Sequence, residues 1–406
     1  MYFPGKSGGI KFNKSENTMI LNKTNVPYLT DDGVQFLPET GIDKVYNFVP
    51  HSHQDYWVVQ FLHGNNLTDE NLNIAIPEEI RQKVRDKQVY LIFNNFLEAY
   101  HGVVEPIYQK AILGMNLPEY YVYLFTHCMD IMPVIQSVAK KYNKELIRAA
   151  QVRTYEYTVA AHEFDSIKSV PIDKTNKVFD KKYIFLNRRW RPHRAGAVAM
   201  LAAKDLLKDG YVSLATCEGR NWENMYGYIK FLFKDNTEFV NILEENEQKI
   251  MNLGNLYVDK NDQNQVMDWF TEEMKDFYNN TYFSVIGETP FLNHPDYDPG
   301  MHCSEKTYKP ITQRHPFLML GVPNTLSQLR NLGYRTFHPF IDESYDHVSD
   351  DGQRLLMVVK EIERLCKLEG EDLNTFIKGT AEICEHNYQH LLQGAKTPGR
   401  YVLTMN

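Results

Sequence analysis

The chain has 406 residues, 43% of them hydrophobic and 24% charged, with a net charge of −8. That composition excludes disordered and fibrous classes, and the length exceeds what one hydrophobic core usually organises, so two domains are expected. The negative charge gives no overall pull toward a phosphate backbone, which leaves only a local basic groove as a route to nucleic acid.

Apolar, β-branched and aromatic runs alternate with helical patterns along the chain, the signature of parallel sheets with helical crossovers. Tyr56–Leu62 predicts a strand ending in the loop His63-Gly64-Asn65. Gln88–Phe93 is almost continuously apolar, as a buried central strand should be, and runs into Asn94–Gly102. Tyr120–Phe125 predicts a third strand leading to Thr126-His127. A helix from Met132 to Tyr142 and a strand near Glu145 to Ala149 follow. Polar residues gather just after these strands, where open α/β sheets bind ligands.

From Ser166 to Lys182 the sequence turns polar and loses apolar periodicity. We therefore expect a first domain over 1–170, a linker over 171–182 and a second domain over 183–406. The second α/β pattern starts at Tyr183–Leu186. Pro192 is placed as the first residue of an Ala-rich helix through Leu207, whose small residues Ala195, Gly196, Ala197 and Ala199 would let it lie close to the sheet, with Gly210 as its stop. Tyr211–Ala215 predicts a strand, Asn221–Phe277 a charged helical middle, and Tyr282–Ile286 and Phe317–Gly321 two more strands. Asn324 is expected to cap a short helix, Thr325 to Leu332, that Gly333 ends. Gln353–Leu368 and Glu371–Leu392 predict two closing helices, the last of which is expected to cross back toward the first domain.

No run reaches the roughly 18 apolar residues of a spanning helix, and Met1–Lys6 leads into no apolar stretch of a signal peptide. A soluble, cytoplasmic protein without a transmembrane segment is expected. The five cysteines, Cys128, Cys217, Cys303, Cys366 and Cys384, are scattered, with no C-x-x-C pair, and are expected as free thiols.

Two stretches carry most of the chemistry. Phe185–Arg194 holds Arg188, Arg189, Arg191, His193 and Arg194 between a buried strand and a helix start. Backbone N–H groups and the helix dipole favour anions there, and guanidinium forks add bidentate phosphate contacts, which suits a pyrophosphate. The second stretch is Cys303-Ser304-Glu305-Lys306-Thr307-Tyr308-Lys309-Pro310, then Phe317–Gly321. An acid for sugar or ribose hydroxyls and two lysines for phosphates precede a strand, with Pro310 expected near the first turn of a short helix.

The run Ser304–Pro310, followed by His315-Pro316-Phe317 and Gly321, resembles the glutamate-lysine donor motif of GT-B glycosyltransferases, and is closest in style to the α-1,3-fucosyltransferase group. Asn187-Arg188-Arg189 likewise resembles the opening of their donor domain. The resemblance covers the last half of the chain. It implies two Rossmann-like domains facing a cleft, and a UDP- or GDP-sugar donor held by Asn187, Arg188, Arg189, Ser304, Glu305, Lys306 and Lys309. It also implies transfer to a hydroxyl, with a glycan as the default acceptor and no permanently bound cofactor or metal.

On the acceptor side a base is needed, and Glu98 and His101 follow the most strand-like segment of the first half, with His51, His53 and His63 as rivals. Asp296-Tyr297-Asp298 has the spacing of a metal-binding pair but sits among turn residues. A hydroxymethylated DNA base as acceptor and a non-catalytic phosphosugar-binding protein stay open as alternatives. The dinucleotide fingerprint, the P-loop and the G-x-S-x-G elbow are absent, which argues against dehydrogenases, kinases and hydrolases.

Overall fold

The computed structural model describes residues 26–30, 32–37, 55–61, 64–95, 101–152, 156, 173–187, 190–214, 221–258, 272–292, 300–396 and 402–405. The chain divides into two compact units, one made of Met1–Thr158, Asp298–His302 and Gly394–Asn406, the other of Val159–Tyr297 and Cys303–Gln393. The first unit is thus discontinuous. Its second piece is a five-residue excursion, and its third holds the chain's last strand.

Strands β1 (Val26–Thr30), β2 (Gly33–Leu37), β3 (Asp55–Phe61), β4 (Val89–Asn95), β5 (Val122–Thr126), β6 (Arg148–Val152) and β11 (Val402–Met405) form the sheet of the first unit. Their order is β11-β6-β5-β4-β3-β1-β2. The strands from β1 to β6 that lie inside the sheet run parallel, and antiparallel β2 and β11 close its edges. All seven residues of β4 are buried, as a central strand covered on both faces requires. Side chains alternate between faces. Val59, Phe61, Leu91, Phe93 and Leu124 pack on one side with residues of α1 (Asp69–Ala75), α2 (Glu78–Arg85) and α3 (Ile131–Tyr142), while Tyr56, Val58, Tyr90, Ile92, Tyr123 and Phe125 share the other.

Two features of this unit differ from the sequence reading. The hairpin β1–β2 and strand β11 carry no apolar run long enough to announce them. Strand β6 begins three residues later than expected because Tyr108 claims the preceding backbone: its hydroxyl donates to Glu145 O at 3.0 Å and accepts from Ile147 N–H at 2.9 Å.

The second unit is built on four parallel strands, in the order β10 (Phe317–Leu320), β9 (Phe283–Gly287), β7 (Tyr183–Asn187), β8 (Gly210–Leu214). Its helices are α4 (Pro192–Ala203), α5 (Trp222–Leu232), α6 (Thr237–Glu245), α7 (Glu247–Met251), α8 (Glu272–Asn279), α9 (Glu305–Thr312), α10 (Thr325–Asn331), α11 (Asp351–Cys366) and α12 (Gly370–Lys396), the last running on into the first unit. Pro192 occupies the first helical position of α4, as expected, and every residue from His193 to Ala202 is buried. The small residues of α4 serve neighbouring helices as well as the sheet: a Cβ on Gly196 would meet Phe239 of α6 at 3.2 Å and Leu355 of α11 at 3.4 Å.

Helix α4 stops at Ala203, ahead of the expected Gly210, with Asp205 taking the left-handed turn at φ 59°. Gly210 instead opens β8, where a Cβ would lie 2.3 Å from the Tyr183 ring. Helix α10 also departs from its predicted cap. Asn324 sits at φ 67° and makes no side-chain cap bond. The Asp346 carboxylate does the capping from a distance, accepting from Leu326 N–H at 2.9 Å and Ser327 N–H at 3.1 Å. Pro310 falls at the sixth position of α9 rather than in its first turn. Arg354 of α11, 2% exposed, donates to the carbonyls of Gly321, Val348 and Phe291 and pairs with Asp351, so its buried charge is well partnered.

Candidate functional site

Adjacent parallel strands β7 and β9 end at Asn187 and Gly287. The Asn187 side chain is 2% exposed, and neither its amide oxygen nor its nitrogen has a hydrogen-bond partner. Its backbone N–H is held by Ser213 Oγ at 3.0 Å, which fixes where the amide starts. Buried amides are nearly always satisfied, so this one calls for an explanation. Gly287 lets it approach: a Cβ there would come within 2.9 Å of Asn187 Oδ1 and 3.1 Å of Arg194 Cγ. Arg194 is buried in the first turn of α4.

The residue after Gly287 organises the rest. Glu288, 1% exposed, accepts from Ser304 N–H at 3.0 Å, Ser304 Oγ–H at 2.6 Å and Thr307 Oγ1–H at 2.6 Å. Its carboxylate therefore docks the start of α9 onto the end of β9. The Glu288 carbonyl meets His193 Nε2 at 2.8 Å. Burial, with Arg194 adding to it, holds the His193 imidazole well below its usual range, so the ring is neutral and its Nε2–H donates to that carbonyl.

Ser304 caps α9, accepting from Lys306 N–H at 3.3 Å. The Lys306 ammonium lies 3.0 Å from Ser304 Oγ and 2.9 Å from Glu305 Oε1. Burial pushes the Glu305 carboxyl up, but the Lys306 and Lys309 charges outweigh it and leave it below its ordinary value. Burial likewise pulls the Lys309 ammonium down, against the opposing pull of Glu305. Lys306, Lys309 and Pro310 line a cavity of about 80 Å³ with Ile184 and Leu186 of β7 and Ser284 to Gly287 of β9. A pocket for a whole small molecule spans roughly 300–1,000 Å³, so this space suits a subsite such as one phosphoryl group.

Of the donor-side residues expected from sequence, Asn187, Ser304, Glu305, Lys306 and Lys309 thus gather around the carboxyl ends of β7 and β9, and Arg188 and Arg189 lie outside the described residues. Gly287 and Glu288 were not singled out, whereas Arg194 and Thr307 stood within the two stretches the sequence pointed to. The dipeptide Gly287-Glu288 directly after a buried run was the available signal.

In the first unit, His101 follows β4 and is 8% exposed, with Nδ1 buried. Its Nε2 lies 2.8 Å from Asp130 Oδ1. The same oxygen accepts from Cys128 Sγ–H at 2.9 Å and Met301 N–H at 2.9 Å, and Met129 N–H donates to Met301 O at 2.7 Å. Burial pushes the Asp130 carboxyl up, yet the bonds from His101, Cys128 and Met301 bring it down to about 2. Glu98, His51, His53 and His63 lie outside the described residues, as do Asp296 and Asp298. Among the described residues Cys128, Cys303, Cys366 and Cys384 are buried and outside any disulfide, while Cys217 lies outside the described residues. Among the described residues no helix is long and apolar enough to cross a membrane.

No protein-family model and no curated sequence matches this chain. Among solved structures, the chain is similar to the trehalose-6-phosphate phosphatase N-terminal domain of Candida albicans, at 11% identity and a TM-score of 0.44, covering 89% of this chain and 70% of that one. It is similar to α,α-trehalose 6-phosphate synthase from Burkholderia multivorans at 10% identity and a TM-score of 0.42, covering 86% and 68%. An E. coli trehalose-6-phosphate structure bound with UDP-2-fluoro glucose gives 9% identity, a TM-score of 0.41, and coverage of 89% and 76%.

Proposed function

We propose that this chain is a glycosyltransferase of the GT-B kind, which moves a sugar from a nucleotide-diphosphate donor to a hydroxyl. One observation carries the reading. Lys306 and Lys309 line a cavity that runs along β7 and β9, and β7 ends in the unsatisfied Asn187 amide. Two cations on a cavity against a parallel sheet, with a buried amide at the carboxyl end of one of its strands, supply donors for anionic oxygens.

Lys306 and Lys309 hold the donor diphosphate, joined by Arg188 and Arg189, which follow β7 in the sequence, and by Arg194 from the first turn of α4. Glu305 receives ribose or sugar hydroxyls. As the bond to the anomeric carbon breaks, negative charge grows on the leaving phosphate, and cations already in place stabilise it without reorganising. Glu98 is the proposed base for the acceptor hydroxyl. The donor is a UDP- or GDP-sugar and the acceptor a glycan.

Calorimetry with uridine and guanosine diphosphates tests the donor site. One of the two binds the wild-type chain, and Lys306→Ala weakens it by about ten-fold or more, the loss of one charge-assisted contact. Equal affinity in wild type and variant sinks the site. Release of free sugar from the intact donor separates an enzyme from a protein that only binds the donor.

A further inference from the structure

The cluster around Asp130 has a composition that phosphate binding does not explain. His101 lies in the segment after β4, and Cys128 and Asp130 lie in the loop between β5 and α3, so the ends of two neighbouring parallel strands supply an imidazole, a thiol and a carboxylate. Their ligating atoms all fall within 4.8 Å of one another. His101 and Cys128 are buried, while the Asp130 side chain is 34% exposed, so the cluster has a closed side and a wet side.

Three donors, His101 Nε2, Cys128 Sγ and Met301 N–H, converge on the single oxygen Asp130 Oδ1. One carboxylate oxygen offers about two lone-pair directions. Two of the three donors are themselves metal-ligating atoms once their protons leave. A cation placed between them would use the imidazole, the thiolate and the carboxylate together, with Met301 N–H still orienting the carboxylate.

We propose that His101 Nε2, Cys128 Sγ and Asp130 form a three-ligand site for a zinc-class divalent cation, with its fourth position open on the wet side of Asp130. Thiolate with imidazole selects zinc or cobalt over magnesium or calcium, which prefer all-oxygen shells. Zinc bonds of about 2.0–2.3 Å in tetrahedral array hold ligand atoms roughly 3.3–3.6 Å apart. The pairs at 2.8 and 2.9 Å must therefore open by about half an ångström, a small side-chain rotation. The balance is simple. Cys128 gives its thiol proton to solvent, neutral His101 binds through Nε2 with its hydrogen on Nδ1, ionised Asp130 binds as it is, and no electron moves. One proton leaves per cation bound.

The test uses the reduced full-length chain and cobalt(II), followed by zinc(II). One equivalent of cobalt should produce a thiolate-to-cobalt charge-transfer absorption in the near ultraviolet. Zinc should abolish it, and about one proton should be released per ion. Cys128→Ser keeps a hydroxyl to donate to Asp130 and should fold, yet lose the band. His101→Gln and Asp130→Asn should each weaken cobalt binding by about ten-fold or more. Absence of the band in the wild-type chain, or its persistence in Cys128→Ser, overturns the proposal.

Discussion

The Glu288 carboxylate grips Ser304 twice, accepting from its backbone N–H at 3.0 Å and its hydroxyl at 2.6 Å, so the end of β9 and the start of α9 are one fixed corner. Both lysines of the proposed donor site ride on that corner, since Lys306 follows Ser304 by two residues and Lys309 by five. Their placement is thus decided by a residue that touches neither.

Glu288→Gln should therefore cost stability and binding together. A hydrogen bond to a charged group contributes about 1.5–3 kcal/mol, and the amide can keep at most part of what the carboxylate accepts from Ser304 and Thr307. We expect a loss of about 2–4 kcal/mol in urea unfolding. Unchanged unfolding in the variant would show that α9 is seated by something else.

Gly287→Ala probes the spacing between the ends of β7 and β9. The added methyl would press on Asn187 Oδ1 at 2.9 Å and on Arg194 Cγ at 3.1 Å. Nucleoside diphosphate affinity should fall by about ten-fold, near 1.4 kcal/mol, with a smaller loss in thermal stability. Gly227→Ala is the control. That glycine lies inside α5 with nothing within 4 Å of an added Cβ, so the change should stabilise by about 0.5–1 kcal/mol and leave binding alone. Equal effects of the two substitutions on affinity would refute the idea that Gly287 spaces the site.

Lys174 should make stability depend on pH. Its ammonium donates to Tyr278 O at 2.6 Å and Thr281 O at 2.9 Å, while burial lowers its pKa from 10.5 to about 7. The unfolded chain then holds a proton that the folded chain has lost between those two values, so stability rises with pH across that window. Below about 7 both states are protonated and the penalty is complete. Unfolding of the wild type measured against Lys174→Met, from pH 7 to pH 9, should show the wild type gaining by up to about 1.4 kcal/mol per pH unit. A difference between the two chains that stays constant with pH would contradict the shift.

Much of the second unit was legible from periodicity and local chemistry. Strand β7, Pro192 at the head of α4 and the two closing helices follow from apolar runs and from residues whose backbone preferences are intrinsic. The polar segment after residue 170 shows the limit of that reading. Its composition suggests a solvated linker, yet Lys174 and Lys177 cap the C-terminal end of α8 through the carbonyls of Tyr278, Thr281 and Asn279. A lysine that will be buried on distant carbonyls looks the same in sequence as one that will face water.

The amino-acid order by itself determined an alternating α/β chain and the acid and lysines of Ser304–Lys309, because hydrophobic period and residue chemistry are local properties. Only the tertiary structure decided that Gly210 would start a strand beneath Tyr183, that Asp346 rather than Asn324 would cap α10, and that Met301 would lend its N–H to Asp130. Each of these depends on a partner more than 15 positions away in the chain. Such a partner leaves no periodic trace, and packing alone selects it.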